Sequence, residues 1–210
     1  GMAGGRFVPR PAQKMALGGC AGPRPGRGRG PVCATPVAKM ALGARPGHCK
    51  TLLALELACL APTLRRRGYF FTLDYHEQDI ARCMAALGVD QETASERPVF
   101  DTSDEISADY IVNRMKGEAA QGLIVIDYLQ LLDQTRTKPS VKDQIAVLRR
   151  YVNETGAICI LLSQIDRSFD LDARSMPDLS DIRRPNPLDL SAFSKLVFLH
   201  DGKIQLTEAS

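Results

Sequence analysis

No C-x-x-C pair and no zinc-like Cys/His spacing occurs among the six cysteines, Cys20, Cys33, Cys49, Cys59, Cys83 and Cys159. That sets aside a structural zinc site, and scattered thiols of this kind suit a reducing compartment, so the expected location is the cytoplasm. Long hydrophobic runs are missing too. The most apolar segment, LLALELACLAP, is short and is broken by Glu56, so neither a membrane span nor a secretory core is expected. Nor is there a strong excess of charge of one sign. With 27 Lys and Arg against 24 Asp and Glu the net charge is only +3, and any contact with nucleic acid has to come from a local patch.

What remains is the composition of a globular protein. At 210 residues, 44% hydrophobic and 24% charged, the chain suffices for one α/β domain with a proper core. The first part is of different material. Residues 1–36 include GGCAGPRPGRGRGP, rich in Gly, Pro and Arg and without an apolar period, and are expected to form a flexible basic arm. KMALG occurs in it at Lys14 to Gly18 and again at Lys39 to Gly43, a partial repeat to which no chemistry is assigned.

Residues 37–210 alternate strand and helix patterns, which predicts a mostly parallel, twisted sheet with helices on both faces. A short strand at Val37 to Leu42 should lead through a loop into a helix from Lys50 to about Leu64. GYFFTLD (Gly68 to Asp74) reads as a buried strand, and His76 to Leu87 as an amphipathic helix. Ser107 to Gln121 has helical spacing, with Ile111, Met115 and Ala119 on one stripe. GLIVID (Gly122 to Asp127) is the continuous apolar run of a central parallel strand. A helix from Val141 to about Glu154 precedes the strand Ala157 to Ser163, and KLVFLHDGKIQL closes the chain as a hairpin about Asp201-Gly202. Cys59, Cys83 and Cys159 are expected as small core residues, and Arg65, Arg66 and Arg67 as the cationic end of a helix.

One stretch carries the chemistry. Gly43, Ala44, Arg45, Pro46, Gly47, His48, Cys49, Lys50 and Thr51 match the phosphate-binding signature G-x-x-x-x-G-K-[ST] at every defined position except Cys49. In such a loop the backbone amides and a helix N-terminus face the anion, the lysine neutralises phosphate charge, and the threonine hydroxyl ligates magnesium. Cys49 stands where a glycine is the norm. Strain at a non-glycine residue there is expected to weaken nucleotide binding by roughly ten- to a hundredfold without abolishing it. A second magnesium carboxylate should stand at the end of a neighbouring apolar strand, and Asp127 meets that demand. Adjacent residues cannot by themselves build a zinc site, so His48 beside Cys49 is read as no metal ligand.

GARPGHCKT, the strand end FTLDY, LIVIDYLQLL, LLSQIDR and SDIRRPN occur in the order and spacing of DnaB-type replicative helicases, over roughly Val37 to His200. The chain resembles the RecA-like ATPase domain of that family. The resemblance implies a P-loop ATPase using ATP and Mg2+, a homo-oligomeric, hexameric ring, and single-stranded DNA as the partner in replication. By position, Lys50 and Thr51 resemble the phosphate and magnesium contacts, and Asp127 the second magnesium carboxylate. Gln164 resembles the γ-phosphate sensor. Asp74 stands where the family has the glutamate that activates water, one methylene shorter. Arg183, Arg184 and Asn186 fall in the loop that grips DNA. Within these 210 residues neither the family's N-terminal domain nor a Lys-x-Arg finger segment has a counterpart. Two other readings stay open beside the helicase: a RecA-like regulatory or recombination ATPase that does not unwind, and an ATP-binding pseudo-enzyme with a degenerate loop.

Overall fold

The computed structural model describes residues 39–44, 50–87, 97–117, 121–127, 139–166, 169, 174, 176–182, 193–200 and 203–208. Outside them lie the 1–36 arm, Arg45 to Cys49 of the phosphate loop, the Asp201-Gly202 turn, and Arg183, Arg184 and Asn186.

Along the chain come β1 (Lys39–Ala44), α1 (Lys50–Cys59), β2 (Gly68–Thr72), α2 (Glu77–Ala86), β3 (Val99–Asp101), α3 (Ala108–Arg114), β4 (Leu123–Asp127), α4 (Val141–Thr155), β5 (Ile158–Gln164), β6 (Lys195–His200) and β7 (Lys203–Glu208). All seven strands join one sheet in the order β3-β2-β4-β5-β1-β6-β7. Every pairing is parallel except β6 with β7, which is the expected C-terminal hairpin. From β1 the chain crosses past β5 and β4 to β2, whereas from β5 it crosses β1 to reach β6. The strand order therefore reverses about β1, and ligand crevices of open α/β sheets form at the carboxyl ends of strands beside such a reversal.

The alternation of side chains across β2, β4 and β5 builds two apolar layers. Tyr69, Phe71, Ile124, Ile126, Cys159 and Leu161 share one cluster with Ile111 of α3 and Ile145, Leu148 and Val152 of α4. On the other face α1 lies against β1, β2, β4 and β5, burying Ala54, Leu55 and Ala58, and Phe70 meets the Phe100 ring at 5.8 Å. Gly68 is needed for this approach: a Cβ there would sit 2.4 Å from the Ala58 carbonyl oxygen of α1. The thiol of Cys59 donates to the Met84 sulfur at 3.4 Å, tying α1 to α2.

Several boundaries differ from the sequence expectation. β1 runs to Ala44, not Leu42, so Gly43 and Ala44 belong to the ladder, opposite Ser163 and Gln164. α1 stops at Cys59, not Leu64. Pro62 lacks the amide that a continuing α-helix would use, and a 3-10 turn over Ala61–Leu64 ends at Arg65 in a left-handed conformation, φ 57°. β2 stops at Thr72, which leaves Asp74 in the loop beyond it. α3 is half the expected length, capped by the Ser107 hydroxyl at one end and closing at Met115. β3 was not anticipated, since three residues are too few to show a period. Of the three expected core cysteines only Cys159 is buried; Cys59 and Cys83 are half-buried.

Candidate functional site

Four strand ends meet at the carboxyl edge of the sheet. Thr72 of β2 is paired in register with Asp127 of β4, and Ala44 of β1 with Gln164 of β5. Parallel pairing puts all four at the same edge, and α1 starts there at Lys50.

Asp127 is fully buried and Thr51 nearly so. The Thr51 hydroxyl donates to Asp127 Oδ2 at 2.9 Å, and Lys50 Nζ lies 3.9 Å from Asp127 Oδ1. That distance is too long for a hydrogen bond, and Oδ1 is the one buried side-chain polar atom without a hydrogen-bond partner among the described residues. Burial pushes the Asp127 carboxyl above the usual carboxylate value of 3.8, Lys50 and the Thr51 hydroxyl pull it down, and the charge of Asp74 pushes it up again. A buried carboxylate oxygen with no donor is costly and marks a place built to receive one or to receive a cation.

Asp74 is exposed at the rim. Its backbone amide donates to the buried Thr72 hydroxyl at 3.2 Å, a short turn that holds the carboxyl just past the strand. Partial burial raises its pKa and Lys50 lowers it, so the amine of Lys50 acts on both carboxylates. Gln164 closes β5 with a half-buried side chain. Lys50, Thr51 and Asp127 are thus in mutual contact, Asp74 is coupled to them through charge, and Gln164 stands at a neighbouring strand end.

Sequence reasoning missed Tyr75. Its hydroxyl donates to Thr51 Oγ1 at 3.4 Å, so a residue 24 positions away joins the same cluster. The available signal was its place directly after Asp74, on a loop leaving a strand at the ligand edge.

Beyond β5 the chain makes a closed excursion. Ile165 bridges Ile182, the Asp166 amide donates to the Asp181 carbonyl at 2.7 Å, and Arg174 pairs with Asp178 and, at 2.7 Å, with Asp181. Ile182, the residue before Arg183, is therefore held beside the end of the strand that carries Gln164.

Could these residues hold magnesium? The Thr51 hydroxyl and the Asp127 carboxylate oxygen that lacks a hydrogen-bond partner among the described residues form a hard oxygen set of the kind that ion prefers. They fit it. The set is mixed in type, for no group of three or more His, Cys, Asp and Glu side chains gathers among the described residues. No described helix is long and apolar enough to cross a membrane.

Residues 91–205, more than half of the chain, match the family model of the DnaB-like helicase C terminal domain. The chain belongs to that family. The matched stretch contains Asp127, Gln164, Arg183 and Arg184 and begins after Lys50, Thr51 and Asp74. A probable plasmid replicative DNA helicase of Chlamydia trachomatis is 28% identical over 181 residues, which cover 72% of this chain and 40% of that protein. The replicative DNA helicase DnaB of Geobacillus stearothermophilus is 33% identical over 84 residues, 38% of this chain and 18% of that one. The chain therefore spans well under half the length of the curated relatives it matches. Among solved structures, a DnaB-like replicative helicase described with its primase interactions superposes with a TM-score of 0.57 at 20% identity, covering 77% of this chain and 46% of that one. A KaiC-like protein of Pyrococcus horikoshii gives 0.56 at 18%, covering 77% and 70%. The fold is the RecA-like ATPase fold.

Proposed function

We propose that this domain binds ATP with magnesium and couples its hydrolysis to movement along single-stranded DNA, as part of a DnaB-type ring that serves replication. The observation that carries the reading is the buried Asp127 carboxylate, with one oxygen engaged by Thr51 and the other unpartnered among the described residues 3.9 Å from Lys50. When bound, magnesium supplies charge neutralisation on the phosphates. Thr51 and Asp127 would hold it. Lys50 binds phosphate oxygens, and the segment between β1 and α1 adds backbone amides. Asp74 takes the proton of the attacking water; its raised pKa strengthens it as a base at neutral pH, while the shorter side chain and Cys49 make turnover slow. Gln164 reads the terminal phosphate. Arg183, Arg184 and Asn186 follow Ile182, beside the end of β5, and contact the DNA backbone.

Steady-state ATPase activity with and without single-stranded DNA tests this. DNA-stimulated, magnesium-dependent turnover is expected. Replacing Arg183 and Arg184 together by Ala should remove the stimulation and lower the salt slope of DNA binding by about 0.7 for each phosphate no longer neutralised. Turnover without stimulation would favour the regulatory or recombination ATPase. Nucleotide binding without turnover would leave the pseudo-enzyme.

A further inference from the structure

We infer that Tyr75 is a positioning residue for the metal-binding face of Thr51; the inference rests on the nucleotide-site reading above. A threonine hydroxyl has one proton and two lone pairs. The proton of Thr51 is committed to Asp127 Oδ2 at 2.9 Å. The Tyr75 hydroxyl, 3.4 Å from Thr51 Oγ1, therefore acts as donor to one lone pair. Among the described residues one lone pair is left, and it is the one a cation can use.

This arrangement removes an alternative. If Tyr75 carried no hydroxyl, the orientation of the Thr51 hydroxyl would rest, among the described residues, on its single bond to Asp127. Three chain segments, the N-terminus of α1, the end of β4 and the loop after β2, are joined by this relay of two hydrogen bonds. Tyr75 follows Asp74 directly, so the same phenol also restrains the loop that presents the rim carboxylate. Half-buried and hydrogen-bonded to Thr51, it links the start of α1 to the loop that carries Asp74.

The test is Tyr75→Phe, which keeps the ring and removes only the hydroxyl. A fluorescent ATP analogue is titrated at a series of magnesium concentrations and again in EDTA, with thermal unfolding recorded in parallel. The expected result is a two- to fivefold higher magnesium concentration for half-maximal nucleotide affinity, and an equal fall in the factor by which magnesium improves affinity over EDTA, both on the order of one weak hydrogen bond. An unchanged or lower magnesium requirement, with magnesium-dependent binding intact in the wild type, overturns the role of Tyr75 alone. A wild type whose nucleotide affinity ignores magnesium overturns the site reading, and this inference with it. Thr51→Ser, which keeps the hydroxyl, should show the same sensitivity to Tyr75→Phe; insensitivity there also counts against the relay.

Discussion

The two edges of the sheet are built on opposite rules. At the amino edge polar groups are matched across segments: Arg66 donates to the carbonyl of Gly156 at 2.9 Å and of Gln121 at 3.1 Å, the Leu123 amide reaches the Arg67 carbonyl at 2.8 Å, and the Ile158 amide the Gly122 carbonyl at 2.9 Å. Gly68 lets α1 close down on the strand start. At the carboxyl edge a fully buried carboxylate keeps one oxygen without a hydrogen-bond partner among the described residues. One edge is closed by matched hydrogen bonds, and the other leaves a buried polar atom unmatched among the described residues. Unsatisfied polar groups of this sort are costly, and they persist where function requires them.

Asp127→Asn puts the comparison under the greatest strain. It should lower magnesium-dependent nucleotide affinity by about a hundredfold or more, about 3 kcal/mol, while raising the metal-free unfolding midpoint by roughly 2–4 °C, since a charge that burial disfavours has been removed. Isothermal titration and thermal unfolding check the two halves. A lower midpoint would mean that the carboxylate stabilises the fold and that the edges do not differ.

Arg66→Ala should do the reverse. Without its charge-assisted bonds to two carbonyls, one of them at the C-terminal end of α4, the domain should be less stable by about 2 kcal/mol in chemical denaturation, and ATP affinity should shift by less than about twofold. A large drop in nucleotide binding would make the amino edge part of the site.

The smallest expected effect is one of pH. The folded-state pKa of Asp127 is raised above its ordinary 3.8, so its favourable contribution to metal-free stability is complete below that value and is lost as pH rises through the raised one. The midpoint gap between Asp127→Asn and wild type should therefore widen as pH rises above 3.8. A gap independent of pH would show that the carboxyl titrates normally.

The arm at 1–36 and the loop residues Arg45 to Cys49 lie outside the described residues, so the expected flexibility of the arm and the expected weakening by Cys49 stand as sequence readings. The helices α2 and α4 were legible to within a residue or two because each has an amphipathic period over ten or more residues. α3 was read too long, since the Ala119 stripe continues a spacing that the chain abandons after Arg114.

The residues alone determined the chemistry available: a Lys-Thr pair at a helix start, apolar strands ending in Asp127 and Gln164, and an order of motifs that placed the family. They did so because phosphate loops and buried parallel strands are written in local spacing. Tertiary structure alone decided the strand order, the pairing of Thr72 with Asp127, the isolation of Asp127 Oδ1, the reach of Tyr75 to Thr51 and the use of Arg66 as a clamp and not a helix end. The last two join segments 24 and 90 residues apart, and the strand order brings β1 and β6 together across 155 residues, Met40 to Lys195. Such contacts depend on which strands lie side by side, and no periodicity within a single segment encodes that.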